Sequence, residues 1–327
     1  MEGVSTRTGP TLKNILFLTD FSDWSECGIA FAIAFARRHD SNLHVLHVLT
    51  SALSEHSSPP ESVAAAVDAA EQDALGEMRR LSSRFAAVPH EMGIVRDKSV
   101  WLGVKKILES RAIELMILGA RGHAGTIEPS PGCAADGILQ RAGISVLTIG
   151  PLVKGRHGVG RFHRVLFATD LSPESKAAVR QAVSMVQESE SRLLFLHVMP
   201  DPNPGGRTTQ DSVANVMHQL HELVSYGGNL LYPPRTIVQY GSTEERILEV
   251  AQEYGADLIV LGVRAAPDLD AVTHPERITA RNVLLRTSCP VLTVPLGEGR
   301  DSTQPKPHED AKEVGGAPQQ MDRGYIM

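Results

Sequence analysis

The sequence predicts an α/β protein made of two doubly wound domains, each with a five-stranded parallel sheet. Two observations carry this reading. The first is an internal duplication. Residues 15–22 (ILFLTDFS) match residues 165–172 (VLFATDLS) at an offset of 150, and the match runs without a gap to 43–48 (LHVLHV) against 193–198 (LLFLHV). Two later blocks follow in the same order, 114–121 (ELMILGAR) with 257–264 (DLIVLGVR) and 146–149 (VLTI) with 291–294 (VLTV). The second observation is the alternation of short continuous apolar runs with amphipathic stretches. Strands apolar on both faces that alternate with helices form a parallel sheet covered on both sides. Right-handed crossovers then give the doubly wound layout.

Each element of the first copy has its own signal. The apolar run 15–18 is a strand that ends at Thr19-Asp20, and Ser22 is placed to cap a helix over about 23–38. The run 43–49 is the second strand. A polar loop with Pro59-Pro60 leads to an Ala-rich helix over about 61–84. A short strand near 91–95, a helix near 100–110, a strand at 115–118, a helix reaching about Arg141 and a fifth strand at 145–149 complete the unit. The second copy repeats the order from Arg164 to Pro295. Its last helix starts with Thr273 as cap and Pro275-Glu276 in the first turn. The expected domains are 12–151 and 163–296, joined by a glycine-rich linker over 152–162. Residues 1–11 and the Pro-, Gly-, Gln- and charge-rich tail 297–327 are expected to be disordered.

Composition excludes several classes. With 42% apolar and 21% charged residues the 327-residue chain has the make-up of an ordinary soluble protein. A net charge of -6 with no dense Lys/Arg cluster argues against a nucleic-acid partner. The nearest basic stretch, Lys154-Gly-Arg156-His157 with Arg161 and Arg164, reads as a solvated linker. Cys27, Cys133 and Cys289 are odd in number and far apart, which fits a reducing compartment. The opening residues lack the apolar core of a signal peptide, and no run approaches the roughly 18 apolar residues of a membrane span. The expectation is a cytoplasmic protein without a membrane partner.

In a doubly wound sheet, ligands sit at the carboxyl ends of strands where the strand order reverses. Two strand ends stand out. The first ends at Thr19-Asp20, where a carboxylate can accept hydrogen bonds from a ribose or adenine. The fourth ends at Gly119-Ala-Arg121-Gly122, with Gly132-Cys133 further on before another helix. Glycines there let backbone N–H groups approach anionic oxygens, and a helix N-terminus adds its positive end. A tight strand-to-helix turn would use the same glycines.

With the TDFS ending of the first strand, the LHV ending of the second and the G-x2-G-x9-G pattern after the fourth, both halves resemble universal stress proteins of the two-domain type. The resemblance implies a stress-response regulator that binds ATP or another adenine nucleotide in domain 1, with Mg as companion ion. Asp20 would hold ribose or adenine, and the backbone of Val48 would read the adenine edge. Gly119, Gly122 and Gly132 would line the phosphates with Arg121 in the same loop, and the residue after the last glycine would donate a hydroxyl. The resemblance also implies that the first and fourth strands lie side by side, so that Asp20 and Gly119 face one crevice. It implies that the fifth strands of the two halves pair, packing the chain as an intramolecular pseudo-dimer. A protein partner and a homodimer of chains are further expectations.

This chain departs from the pattern at informative places. The hydroxyl position is Cys133, a weak donor, and the loop carries Glu128, Pro129 and Pro131. The second half keeps Asp170, Val198 and Gly262. Ala265 replaces its second glycine, no third glycine follows, and Asp268 and Asp270 add negative charge. That site is therefore expected to be degenerate. The alternative to a nucleotide-binding regulator is an ATP-independent interaction scaffold of the same fold.

Other signals point to no catalytic residue and no metal site. There is no G-x4-G-K-[ST] loop. His44 and His47 lie three apart on a strand and so point to opposite faces. His218 and His221 lie one helical turn apart without an evident third ligand. His123 reads as a solvent-facing loop residue, and Ser22 and Ser172 read as caps. No general base is visible near the loop, so the expected activity is at most slow ATP hydrolysis.

Overall fold

The structure is a computed structural model and describes residues 12–50, 60–120, 134–153, 160–172, 175–186, 191–201, 210–226, 230, 232–264 and 275–296. The first half runs β1 (Asn14–Leu18), α1 (Asp23–His39), β2 (Asn42–Thr50), α2 (Pro60–Ser82), β3 (His90–Asp97), α3 (Val100–Ser110), β4 (Leu115–Gly119), α4 (Ala134–Arg141) and β5 (Ser145–Ile149). The second half runs β6 (Arg164–Ala168), α5 (Ser175–Val186), β7 (Arg192–Met199), α6 (Gln210–Tyr226), β8 (Arg235–Tyr240), α7 (Thr243–Tyr254), β9 (Leu258–Arg264), α8 (Pro275–Arg286) and β10 (Val291–Leu296). Thr273, the expected cap of the last helix, lies outside the described residues, as do 1–11, 154–159 and 297–327.

Local chemistry accounts for where the helices begin and end. Ser22 accepts the backbone N–H of Ser25 at 3.3 Å, and Ser99 accepts that of Leu102 at 3.2 Å. Each hydroxyl satisfies one of the amide donors that a helix N-terminus leaves open. α1 stops at Asp40 with φ of 52°, and α7 at Gly255 with φ of 58°, both left-handed caps. α2 stops at Ser82, two residues short of the expected end, because its last turn tightens into a 3₁₀ segment, Ser83–Phe85, that tucks Phe85 into the core.

All ten strands form one sheet in the order β3-β2-β1-β4-β5-β10-β9-β6-β7-β8. Within each half every neighbour is parallel, and β1 lies between β2 and β4 as β6 lies between β7 and β9. The strand order reverses at β1 and β6, which places a crevice beyond the carboxyl ends of β1/β4 and β6/β9. The halves meet where β5 and β10 pair antiparallel, Thr148 with Val291, Leu147 with Leu292 and Val146 with Thr293. The two expected sheets are thus a single continuous one, and the chain is a pseudo-dimer through its fifth strands.

The duplication extends to the clamps at the amino ends of the strands. Asp257 accepts the backbone N–H groups of His163 and Arg164 at 2.7 and 2.9 Å, and Glu114 accepts those of Lys13 and Asn14. Apolar packing is less evenly divided. One cluster runs through both halves, joining Phe17, Phe35 and Leu147 to Phe167, Leu292 and Phe195. The opposite face carries two clusters, one mostly of each half, with Ala120 of the first half joining the second-half cluster. The shared core covers the seam on one side, and the rings of Phe35 and Phe162 meet there at 6.1 Å.

Candidate functional site

The crevice of the first half holds a cavity of about 80 Å³. Thr19, Asp20, Val48 and Gly119 line it, so four of the sequence-predicted residues meet there. Arg121, Gly122, Gly132 and Cys133 lie outside the described residues, as do His123 and Glu128. Val100 and Ala135 line it too, so the starts of α3 and α4 both face the crevice.

Asp20 is held by one oxygen only. Its Oδ1 accepts the backbone N–H of Ser22 at 3.1 Å and the Ser22 hydroxyl at 2.5 Å. Its Oδ2 is buried without a hydrogen-bond partner among the described residues. A buried carboxylate oxygen left unpaired is costly, so this atom is a standing acceptor for whatever donor enters.

His47 also lines the cavity and was set aside in the sequence because its pairing with His44 makes no chelate. Its Nδ1 donates to the Thr19 carbonyl at 2.8 Å. Because a carbonyl only accepts, this bond fixes the proton on Nδ1. Burial holds the imidazole below its ordinary pKa, against the opposing pull of the Thr19 carbonyl and Asp20. The sequence did contain a signal for it. His197, in the same place in the second LHV, donates to the Thr169 carbonyl at 2.8 Å.

Gly119 has a reason of its own to be glycine. A Cβ there would lie 2.9 Å from the backbone carbonyl of Trp24 and 3.1 Å from the Ser25 nitrogen, so the residue lets the first turn of α1 close on β4. Gly103 does the same for α3, where an added Cβ would sit 2.7 Å from a methyl of Val48. With α3 and α7 aligned on Ser99 and Ser242, the residue matching Gly103 is Arg246. The second-half cavity is larger, about 320 Å³.

Asp170, Val198 and Gly262 all line that second cavity, with Thr169, His197 and Arg264. Asp170 is more fully engaged than Asp20. Its Oδ1 accepts Ser172 N–H and the Ser175 hydroxyl, both at 2.9 Å, and Arg264 Nη2 stands 3.9 Å from its Oδ2. Burial pushes this carboxyl up, but the bonds from Ser172 and Ser175 and the Arg264 charge outweigh it and hold it below the usual range. The half with the poorer glycine loop has the larger cavity and a carboxylate that already faces a cation.

The family model of universal stress proteins matches residues 11–150 and 161–295, one match for each half of the sheet. The chain belongs to the universal stress protein family. Among its relatives, the universal stress protein Sll1654 of Synechocystis sp. is 32% identical over 148 residues, 43% of this chain and 91% of its own. A universal stress protein structure from Archaeoglobus fulgidus covers 88% of this chain and 98% of its own at 20% identity, with a TM-score of 0.62. It shares the fold across both halves. A universal stress protein from Archaeoglobus fulgidus in complex with dAMP is 20% identical and covers 41% of this chain and 98% of its own, with a TM-score of 0.31.

No group of His, Cys, Asp or Glu among the described residues is arranged to hold a metal ion. His218 lies 3.5 Å from Glu222 on α6, and His221 bonds its own helix at the Met217 carbonyl. No described helix is long and apolar enough to cross a membrane.

Proposed function

We propose that this universal stress protein binds ATP or another adenine nucleotide in its first half, and that occupancy biases the conformation or assembly of the paired halves in a stress response. One observation carries the reading. The unpartnered Asp20 Oδ2 stands at the crevice between β1 and β4, where a ribose hydroxyl or an adenine amine can donate to it. A cavity of about 80 Å³ takes a sugar-sized group, so the base and phosphates would extend over its mouth. Asp20 is the one carboxylate among the described residues that line the cavity, so an accompanying Mg would be held chiefly by the phosphates and water. The second half serves structure or partner contact in this reading.

Calorimetry on the wild-type chain and on Asp20→Asn tests it. Asn keeps the cap on Ser22 and removes the charge, so ATP affinity should fall about tenfold or more. Equal affinity in the two proteins would remove Asp20 from the site. The small first cavity also favours a second reading, a scaffold that works without nucleotide. Absence of binding at millimolar ATP would select it.

A further inference from the structure

The turn after β1 and the turn after β6 are built the same way, and both hold a bulky side chain in an unfavourable backbone conformation. Phe21 and Leu171 each have φ of 62°, a left-handed value that non-glycine residues with large side chains rarely adopt. Strain of this kind persists only where the surroundings enforce it.

Three contacts enforce it at Phe21. Its N–H donates to Thr19 Oγ1 at 3.1 Å, its ring lies 4.3 Å from that of His47, and His47 donates to the Thr19 carbonyl. In the second half the Leu171 N–H donates to Thr169 Oγ1 at 3.0 Å and His197 donates to the Thr169 carbonyl. Leucine cannot repeat the ring contact, so the two turns share two bonds, the one to the threonine Oγ1 and the histidine–carbonyl bond. Asp20 is the residue between Thr19 and Phe21. The shape of the turn therefore sets which way the carboxylate faces: one oxygen meets Ser22, and the other has no hydrogen-bond partner among the described residues.

We propose that His47 is a positioning residue for the ligand of the first cavity: its Nδ1–H bond to the Thr19 carbonyl holds the left-handed turn at Phe21 and so keeps Asp20 Oδ2 turned to the ligand. The inference rests on the reading of that cavity as a nucleotide site. His47 acts through Thr19 and Asp20, and its neutral ring with a fixed tautomer suits it to this role.

Two substitutions separate the nitrogens. An asparagine amide falls close to the place of Nδ1, whereas a glutamine amide falls nearer Nε2. His47→Asn therefore retains the donor to Thr19, and His47→Gln does not. Full-length variants that melt cooperatively are crystallised and titrated with ATP. The expected result is a Phe21 that keeps its φ near 62° in His47→Asn and leaves it in His47→Gln. Affinity should stay within about threefold in the first and fall about tenfold or more in the second. Phe21 unmoved in His47→Gln overturns the inference. So does affinity rescued by glutamine and lost with asparagine, which would make Nε2 the acting nitrogen. The turn is read without ligand. A wild-type chain that binds no ATP defeats the nucleotide reading alone, and the conformation of Phe21 still decides the role of His47. Should either His47 variant fail to fold, the same pair of changes at His197, read at Leu171, tests the same bond.

Discussion

Leu147 of β5 lies directly opposite Leu292 of β10, and the two leucines occupy the same place in the two copies of the repeat. On either side Val146 faces Thr293 and Thr148 faces Val291, so the seam follows the two-fold relation that a duplicated chain implies. Its polar contacts are not symmetric. The Thr293 hydroxyl donates to the Val146 carbonyl at 3.3 Å, whereas the Thr148 hydroxyl is buried with no hydrogen-bond partner among the described residues.

Both leucines are buried in the core that crosses the seam. Leu147→Ala and Leu292→Ala should each cost about 2–5 kcal/mol in urea unfolding. Because the residues face each other, the double variant should depart from the sum of the single losses. Strict additivity would mean that the two side chains do not share a packing site.

Gly119→Ala should lower stability by about 1–3 kcal/mol, since the added methyl meets helix backbone that cannot swing aside. A neutral substitution would mean that α1 can retreat from β4 at no cost.

Stability should decline on mild acidification. Burial holds both His44 and His47 below their ordinary pKa; at His44 Glu91 opposes this and Arg111 adds to it. The unfolded chain takes up these protons near pH 6.5, the folded chain only below that. Unfolding therefore binds protons in this window, and stability is complete above about pH 6.5 and falls as pH drops. The urea midpoint should decrease from pH 7.5 to pH 5. A midpoint that rises over that range would contradict the neutral, buried state of both rings.

Cys289 should be inert in the folded protein. Burial pushes its thiol up to about 11, with the Thr287 hydroxyl opposing and Asp257 adding to the shift, so thiolate is scarce at neutral pH. Alkylation followed by peptide mapping should modify half-buried Cys27 in native protein and reach Cys289 only in denaturant. Equal native rates at the two sites would show that the β10 end of the core opens readily.

The order of the elements was legible because the central strands β1, β4, β5, β6, β9 and β10 are largely apolar runs and helices such as α1 and α3 begin at a capping serine. β4 and β5 are buried almost throughout, and the spans 100–110 and 145–149 fall where the pattern put them. Asp20 and Gly119 were legible as site candidates for a related reason: in a parallel sheet, the residue that ends an apolar run stands at the carboxyl edge. His47 was not legible as part of the site. Strand alternation assigns a face, and it cannot show that the β1 turn brings a carbonyl within reach of the ring.

By itself, then, the sequence determined the duplication, the α/β class and the strand-end residues of both halves, because these follow from local periodicity and from the chain's likeness to itself. The pairing of the fifth strands was implied by the resemblance to the family; only the tertiary structure decided its register, Leu147 opposite Leu292, the core shared across the seam, and that the larger cavity lies in the second half. It alone showed that, among the described residues, one oxygen of Asp20 has no hydrogen-bond partner and that Asp170 faces Arg264. Each of these depends on how closely two elements distant in the chain approach, and that distance is set by packing: Gly103, for one, lets α3 settle on Val48.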